Sequence, residues 1–429
     1  MTQVESTLER PWPPGEQPID RLPSLLRPLR NRNYALLFTG QLSSLVGDQL
    51  YVVALPFLVL GHASVRDLGL VLMCFGLARI AAIPLGGVLA DRVDRVKLML
   101  FTDVGRAVCV VAIAAVAFLP EPSILPVMAL TGVLGALEGL FLPSSYAILP
   151  DILSDDELPA GNALNTALES AAGFIGPAMA GLLIAVFSSG VALGIDAATF
   201  LISAVTLLLI RLRPRGAGAA AQDDEDPAAE QDGSSRIGFT KLLKVSRIFQ
   251  LVLLITLFSN LAFDAMAEVA LPVFARDHLM SGAGGFGLML SAFGAGALVG
   301  GLLTDALFRL RRRGLVALGL GVVQGVALAL VPLVGGLAGA CALLAASGLT
   351  IGVLNAFYMT HLQQRVPPHL LGRAMGALMT AVFAAQPVSV LAAGLALEGM
   401  SPAPVFVIAG LLIVAGYLIA LSSSEFRRL

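Results

Sequence analysis

Charged residues are scarce in this 429-residue chain, and their scarcity argues against a soluble fold. Only 13% of the residues are Asp, Glu, Lys or Arg, whereas 57% are hydrophobic. A soluble body of this length needs more polar side chains to cover its surface. We therefore expect an integral membrane protein.

Lysine, histidine and cysteine are also rare, and the scarcity of each argues against a class of function or structure. None of the three lysines follows the glycine of a G-x4-G-K-[ST] loop, so the chain has no P-loop ATPase of its own. The four histidines are scattered singly and predict no metal site. The three cysteines lie in apolar segments and predict buried thiols instead of a disulfide framework. With no catalytic motif in the loops, we expect neither an enzyme nor a cofactor, and an ion gradient remains as the energy source.

Twelve apolar runs of about 20 residues are present, and each can cross a bilayer as a helix. They cover about residues 34–60, 67–90, 98–119, 124–149, 162–187, 191–210, 248–275, 283–304, 315–334, 337–358, 371–397 and 403–421. Numbered spans one to twelve, they predict an all-α membrane protein.

Basic residues lie almost entirely on one side of these spans. If the N-terminus is cytoplasmic, the cytoplasmic segments hold 23 Lys and Arg residues, and the outer loops hold only Arg66 and Arg276. Cytoplasmic loops of membrane proteins are enriched in these residues. We therefore predict a multi-pass protein of the plasma (inner) membrane with both termini in the cytoplasm. Residues 1–33 lack the apolar core of a signal peptide, so span one is expected to be retained.

The spans fall into two groups of six, separated by one long polar stretch. We expect a cytoplasmic tail at 1–33, a six-helix bundle at 34–210, a cytoplasmic linker at 211–247, a second six-helix bundle at 248–421 and a cytoplasmic tail at 422–429. The acidic linker segment 222–232 is expected to be disordered, and 238–247 to form an amphipathic surface helix. A simple tether and a regulatory role for the acidic segment both remain open.

The two groups repeat one short phrase 214 residues apart. Residues 86–97 read Gly-Gly-Val-Leu-Ala-Asp-Arg-Val-Asp-Arg-Val-Lys, and residues 300–311 read Gly-Gly-Leu-Leu-Thr-Asp-Ala-Leu-Phe-Arg-Leu-Arg. Elsewhere in the repeat, Asp48 matches Asp264 and Glu138 matches Asn355. Because an internal repeat defines the folding unit, we predict two six-helix pseudo-repeats.

Several of these motifs are shared with a known family. They are the G-x3-D-[RK] phrase after span two with its second copy after span eight, which lacks the basic residue after Asp305, Leu29-Arg-Asn-Arg-Asn33-Tyr34 before span one, and Ile195-Asp196-Ala-Ala-Thr-Phe200 in span six. The chain resembles the major facilitator superfamily over nearly its whole length, in particular the drug and siderophore exporters similar to macrolide efflux proteins and the enterobactin exporter. Gly176-Pro177 in span five is similar to an element associated with proton antiporters in this family. A packing kink and a barrier to leakage both remain open there. Asp94 departs from the phrase, which usually has glycine at that position.

The repeated phrase also predicts a gate on the cytoplasmic side. Gly86 and Gly87 allow helices to approach closely. Asp91 is expected to face Arg373 and the N-terminus of span eleven, and Arg95 is expected to reach Asp151. These contacts would hold the cytoplasmic side closed while the cavity opens outward; helix capping with topology anchoring is the alternative. The predicted gate residues are Gly87, Asp91, Arg92, Arg95, Asp151, Asp305 and Arg373.

Ionisable residues inside a membrane cost roughly 2.5–3.5 kcal/mol each at a helix centre, so each needs a reason. Asp48, Glu138 and Asp264 lie at mid-depth, and Glu268 is expected to share a helix face with Asp264. Burial in an apolar cavity favours the neutral form of a carboxyl group, which can then bind a proton on one side and release it on the other. The predicted coupling and cavity residues are Asp48, Tyr51, Arg79, Glu138, Asp264, Glu268 and Asn355.

Four further predictions concern the arrangement of the buried charges and the cargo that they favour. Arg79 is expected to pair with Asp48 or Glu138, since an unpaired buried arginine is hard to sustain. Asp103 and Arg106 are expected to pair with each other, and Asp196 to reach water near the outer end of span six. The spans contain more acidic than basic residues, which favours lipophilic cations or neutral amphipathic molecules as cargo.

The sequence therefore predicts a secondary active transporter that exports small drug-like or siderophore-like amphipathic molecules by alternating access and proton antiport. A proton symporter or facilitator that imports a nutrient is the alternative, and it would need a more polar cavity. A membrane enzyme or lipid-handling protein would need a catalytic constellation, and none is visible. The expected partners are a small-molecule substrate, protons and the lipid bilayer. We expect a monomer that binds no nucleic acid.

Overall fold

Twelve long helices lie at the positions of the predicted spans. The computed structural model describes residues 25–119, 123–211, 247–308, 313–366 and 368–423. The helices are α1 (Arg32–His62), α2 (Val65–Arg92), α3 (Arg95–Ala117), α4 (Ile124–Ala147), α5 (Leu158–Val186), α6 (Ser189–Leu209), α7 (Arg247–His278), α8 (Gly282–Phe308), α9 (Arg313–Leu333), α10 (Gly336–Arg365), α11 (Pro368–Ala396) and α12 (Ala403–Leu421). All 12 are long and apolar enough to cross a membrane, and these ranges contain no strand. The all-α fold with twelve spans is confirmed.

Parts of the predicted tails and linker lie outside the described residues. These parts are 1–24, the acidic segment 222–232, most of the amphipathic helix expected at 238–247, and 424–429. The side chains of Asp305 and Arg373 also lie outside them. The predicted domain boundaries and the predicted contact between Asp91 and Arg373 therefore stay predictions.

Polar residues at the helix starts explain where several spans begin. Asn31 caps α1 through its side-chain oxygen, and Ser64 and Asp67 form a reciprocal capping box at α2. Asp94 caps α3 by accepting a hydrogen bond from the Lys97 N–H at 3.1 Å. Its φ of −55° does not require glycine. Asp94, at a position where the family phrase usually has glycine, thus serves as the N-cap of α3.

Close backbone contacts show the same packing in both halves. Gly86 of α2 lies against the backbone of Gly139 in α4, and Gly300 of α8 lies against the backbone of Leu349 in α10. A side chain at either glycine would clash with the neighbouring backbone. A Cβ at Gly87, by contrast, would meet no atom within 4 Å. The prediction that both glycines of the phrase serve close packing is therefore wrong for Gly87, because the next position on the helix points away from α4.

The two halves meet along two helix pairs that the repeat makes equivalent, α2 with α11 and α5 with α8. Gly69 of α2 packs against the backbone of Gly394 in α11. Gly287 of α8 packs against the backbone of Pro177 in α5. Small residues at such crossings let membrane helices approach closely. Two matching crossings hold the halves together.

The predicted kink in α5 lies at one of these crossings. Pro177 is inside α5, where proline removes a backbone hydrogen-bond donor. The next N–H, that of Ala178, donates a hydrogen bond to Ser291 Oγ of α8 at 2.8 Å. Gly176 packs within the first half, against the side chain of Gln49 in α1. Pro177 thus lies at the contact between the halves, whereas Gly176 contacts its own half.

Packing between the halves differs between the two ends of the bundle. We call the end that carries the start of α1 and the end of α12 the terminal face, and the opposite end the far face. Toward the far face, the rings of Phe57 in α1 and Phe286 in α8 lie 5.9 Å apart. At the terminal ends of α2 and α11, a Cβ added to Gly87 or Gly376 would meet no atom within 4 Å. The halves are therefore in contact toward the far face, whereas the terminal ends of α2 and α11 have open space beside these two glycines.

Candidate functional site

A cavity of about 400 Å³ lies where the two halves meet at mid-depth. Its charged lining residues are Asp48, Arg79, Arg106, Glu138, Asp196 and Glu268. The rest of the wall is mainly aromatic and aliphatic, and includes Tyr51, Phe75, Phe200, Phe263 and Phe286. Apolar walls with a few placed polar groups are typical of small-molecule sites. The structure thus brings together five of the seven predicted cavity residues, and Asp264 and Asn355 lie elsewhere.

Arg79 connects the two halves through a chain of side chains in this cavity. Its Nη1 lies 3.3 Å from Glu138 Oε1, and its Nη2 donates a hydrogen bond to Gln386 Oε1 of α11. Gln386 Nε2 in turn donates to both carboxylate oxygens of Glu268 in α7, at 2.7 and 2.9 Å. We call these four residues the Arg79 network. It confirms that Arg79 is paired, with Glu138 as the partner and not Asp48.

Aromatic rings complete the surroundings of the Arg79 guanidinium. The guanidinium carbon lies 5.2 Å from the centre of the Phe75 ring and 4.6 Å from that of Phe383. Phe75 belongs to the first half and Phe383 to the second. A cation over an aromatic face is stabilised by the ring quadrupole, more so when it is removed from water. The side chain of Arg79 is only 13% exposed, so these contacts help to retain a charge inside the bundle.

Glu268 lies in an unusual segment of α7. Residues Ala265–Ala270 are π-helical, and a second π-helical turn follows at Phe274–His278. Such turns are rare and often occur at functional sites. Asp264 precedes the first π segment and does not line the central cavity, although it interacts electrostatically with Glu268 and Arg79. The α-helical spacing used in the prediction does not hold across this segment, which explains why only Glu268 reaches the cavity wall.

A second charged group lies in the first half, between α3 and α6. Arg106 pairs with Asp103, as predicted, and Ser203 Oγ donates a hydrogen bond to the other carboxylate oxygen of Asp103 at 2.6 Å. The guanidinium also lies over the rings of Phe141 and Phe200, at 4.1 and 4.6 Å from their centres. Asp103 and Arg106 are both buried, yet Arg106 borders the central cavity. Arg106, held by Asp103, is thus part of the cavity wall, a role that its place on an outer helix did not indicate.

The prediction that Asp196 reaches water is wrong. Its side chain is 0% exposed, and neither carboxylate oxygen has a hydrogen-bond partner among the described residues. A Cβ at Gly47 of α1 would collide with this carboxylate, so α6 and α1 enclose it between them. Asp48, the residue that follows Gly47 in α1, interacts electrostatically with this carboxylate. Asp196 therefore belongs to the central cavity wall.

Sequence reasoning missed Gln386, which joins the two halves of the network. A search for ionisable residues inside spans does not find an amide, because a neutral side chain carries no large insertion cost. A signal existed in the repeat: Gln386-Pro387 in α11 takes the place that Gly176-Pro177 has in α5, at the equivalent helix crossing. Comparison of the two proline positions would have indicated this residue.

Asn355 lines a second cavity, of about 440 Å³, inside the second half. We call it the C-half cavity. The prediction that Asn355 shares the central cavity with its repeat counterpart Glu138 is wrong, because α10 directs this residue into its own bundle. Phe263 lines both cavities, which therefore adjoin.

The predicted gate residues are only partly joined. Arg95 Nη1 lies 2.6 Å from Asp151 Oδ2, as predicted, and also donates a hydrogen bond to the Ala147 carbonyl at 3.0 Å. All three residues belong to the first half, so this pair anchors the loop between α2 and α3 on the end of α4 and does not itself join the halves. Asp91 and Arg92 are exposed at the terminal face.

Comparisons with known proteins agree with this architecture. The family model described as Major Facilitator Superfamily matches residues 37–390. The enterobactin exporter EntS of Salmonella typhimurium is 28% identical over 413 residues, which cover 92% of this chain and 93% of that protein. The multidrug efflux pump Tap of Mycolicibacterium fortuitum is 25% identical over 369 residues, which cover 84% of this chain and 88% of Tap. The fold also matches a crystal structure of a bacterial homologue of the iron transporter ferroportin in an inward-facing state, at a TM-score of 0.70 and 15% identity over 91% of this chain and 99% of the other. Because the family model spans most of the chain, this protein belongs to the Major Facilitator Superfamily and is a multi-pass membrane transporter.

Proposed function

We propose that this protein exports small amphipathic molecules, drug-like or siderophore-like, by alternating access coupled to proton antiport. The observation that carries the proposal is the Arg79 network, since it places two carboxylates and one guanidinium across the contact between the halves. Relatives named as an enterobactin exporter and a multidrug efflux pump support the outward direction. The placement of basic residues supports a plasma (inner) membrane location with both termini in the cytoplasm.

Protons would act on the network through its carboxyl groups. The pair between Glu138 and Arg79 needs the ionised carboxylate, so a proton on Glu138 weakens the hold on the guanidinium. A proton on Glu268 likewise removes an acceptor of the Gln386 amide. Either event loosens the link between α2, α7 and α11, and a substrate that competes for the same groups would be coupled to the proton. We assign this coupling role to Asp48, Glu138, Asp264 and Glu268.

The terminal face would then be the cytoplasmic side, and the structure would represent the state closed toward the outside. In the opposite state, the terminal ends of α2 and α11 approach each other, and the space beside Gly87 and Gly376 closes. We propose that Asp91, Arg92, Asp305 and Arg373 make contacts between the halves in that state, with the Arg95–Asp151 pair holding the loop in position.

Transport in inside-out membrane vesicles tests the direction and the coupling together. With an acidic interior, vesicles that contain the protein should accumulate ethidium or an iron-free catecholate siderophore, and a pH dye inside should report proton release that depends on the added compound. Vesicles that carry Glu138→Gln should lose both signals. Release of the compound from the vesicles together with protons would instead indicate a symporter, and uptake without proton movement would refute the proposed antiport.

A further inference from the structure

The C-half cavity is polar but uncharged. Every helix from α7 to α12 contributes to its wall, so it lies within the second bundle and not between the halves. Its polar lining comprises Thr256, Ser259, Asn260, Gln324, Asn355, Tyr358 and Tyr417. No acidic, basic or histidine residue occurs among the residues that line it. The site can therefore offer hydrogen bonds to a ligand but cannot neutralise a ligand charge.

The equivalent position in the first half is charged. A cavity of about 250 Å³ there is lined by Asp48, Arg106, Glu138 and Glu169. The repeat matches Glu138 of this cavity with Asn355 of the C-half cavity. The carboxylate of Glu138 is thus replaced in the second half by an amide. The cavity within the first bundle is charged, whereas the C-half cavity is lined by neutral residues.

Two polar groups of the C-half cavity have unused hydrogen-bonding capacity. Gln324 is 1% exposed, and its Oε1 has no hydrogen-bond partner among the described residues. The Oγ of Ser259, which is also buried, has no hydrogen-bond partner there either. Buried polar groups are nearly always hydrogen-bonded, because an unpaired one costs about 1–3 kcal/mol. An orphaned amide oxygen in the wall of a cavity points to a ligand that donates a hydrogen bond to it.

We propose that the C-half cavity binds the uncharged, hydroxyl- or amide-bearing part of the transported molecule, an assignment that rests on the proposed export function. Phe263 lines both cavities, so a ligand held here extends toward the Arg79 network. Met359 and Met379 supply flexible apolar surface for the rest of the ligand. A cationic group is disfavoured in the C-half cavity, because burial of an unpaired charge is costly, and it is directed to the carboxylates of the central cavity.

Two matched fluorescent probes test this assignment on the purified full chain in lipid nanodiscs. Both carry the same naphthylhexyl body; one ends in a β-glucoside and the other in trimethylammonium. Replacement of either amide by leucine, in Asn355→Leu or Gln324→Leu, should weaken glucoside binding about tenfold, since one to two hydrogen bonds are lost. Affinity for the trimethylammonium probe should stay within about twofold. The matched control Asn162→Leu makes the same chemical change in the first-half cavity and should leave glucoside affinity unchanged.

Equal losses for both probes, or an equal loss of glucoside affinity in Asn162→Leu, would overturn the assignment. Should the leucine variants not fold, the unsubstituted protein still gives an answer. A glucoside probe that carries a photoreactive diazirine is expected to label α10 and α11 at or near Met359 and Met379, as read by mass spectrometry. Labelling confined to α1–α4 would refute the site. Binding needs no proton gradient, so failure of vesicle export with labelling of α10 and α11 would reject the proposed function and leave the site standing.

Discussion

Among the described residues, the amide of Gln386 makes the hydrogen bonds that connect Glu268 of α7 with Arg79 of α2. Replacement by leucine in Gln386→Leu leaves Glu268 without a hydrogen-bond partner among the described residues, and it leaves Arg79 with Glu138 as its remaining acceptor there. Loss of hydrogen bonds to charged groups costs roughly 1.5–3 kcal/mol, so the thermal unfolding midpoint should fall by several degrees. Val388→Ala, at a side chain of the same helix that is 63% exposed, serves as the control and should change the midpoint little. An unchanged midpoint in Gln386→Leu would mean that the network contributes no stability.

The buried aspartates of α3 and α6 should respond differently to the same substitution. Asp103→Asn removes the carboxylate that pairs with Arg106 and should destabilise the protein by about 3–5 kcal/mol, since a buried guanidinium loses its counter-charge. Asp196→Asn removes no hydrogen bond among the described residues, so its unfolding midpoint should equal or exceed that of the unsubstituted protein. Differential scanning fluorimetry of the two variants side by side measures the contrast. A loss in Asp196→Asn as large as that in Asp103→Asn would show that Asp196 has a partner of its own.

At the scale of helices, two adjacent glycines of α2 offer a sharp comparison. Gly86→Val places a side chain against the backbone of α4 and should cost about 1–3 kcal/mol through overpacking. Gly87→Val meets open space in this state and should leave the unfolding midpoint unchanged. If the terminal ends of α2 and α11 approach each other during transport, Gly87→Val should instead lower the transport rate in vesicles. A valine at position 87 that affects neither stability nor transport would argue against closure at this place.

The helices themselves could be predicted well from the sequence, whereas their partners could not. Apolar runs and the sidedness of basic residues located all twelve spans to within a few residues, except that α10 extends to Arg365. The cost of a buried charge correctly indicated that Arg79 and Arg106 are paired. Which neighbour each residue meets depends on packing between distant helices, as for Gln386, and on local changes of helix type, as for Asp264. Those contacts form only in the folded bundle, and no local pattern in the sequence predicts them.

At the scale of the whole molecule, the difference between its two ends predicts which side is accessible. In a background where Cys74, Cys109 and Cys341 are replaced by alanine, Gly87→Cys should react with a membrane-impermeant maleimide in inside-out vesicles. It should not react in intact cells if the terminal face is cytoplasmic. Phe57→Cys, which lies toward the closed far face, should react slowly from either side. Labelling of Gly87→Cys only in intact cells would reverse the proposed orientation.

The two helix crossings between the halves also constrain how the molecule can move. The pairs α2–α11 and α5–α8 are related by the internal repeat, and each has a proline at the contact, Pro387 in one and Pro177 in the other. Two pivots related by a pseudo-twofold axis define a single line of rotation between rigid bodies. Relative motion of the halves is then reduced to one angular coordinate, and a covalent link between the halves at one face, away from the pivots, would arrest the opposite face as well.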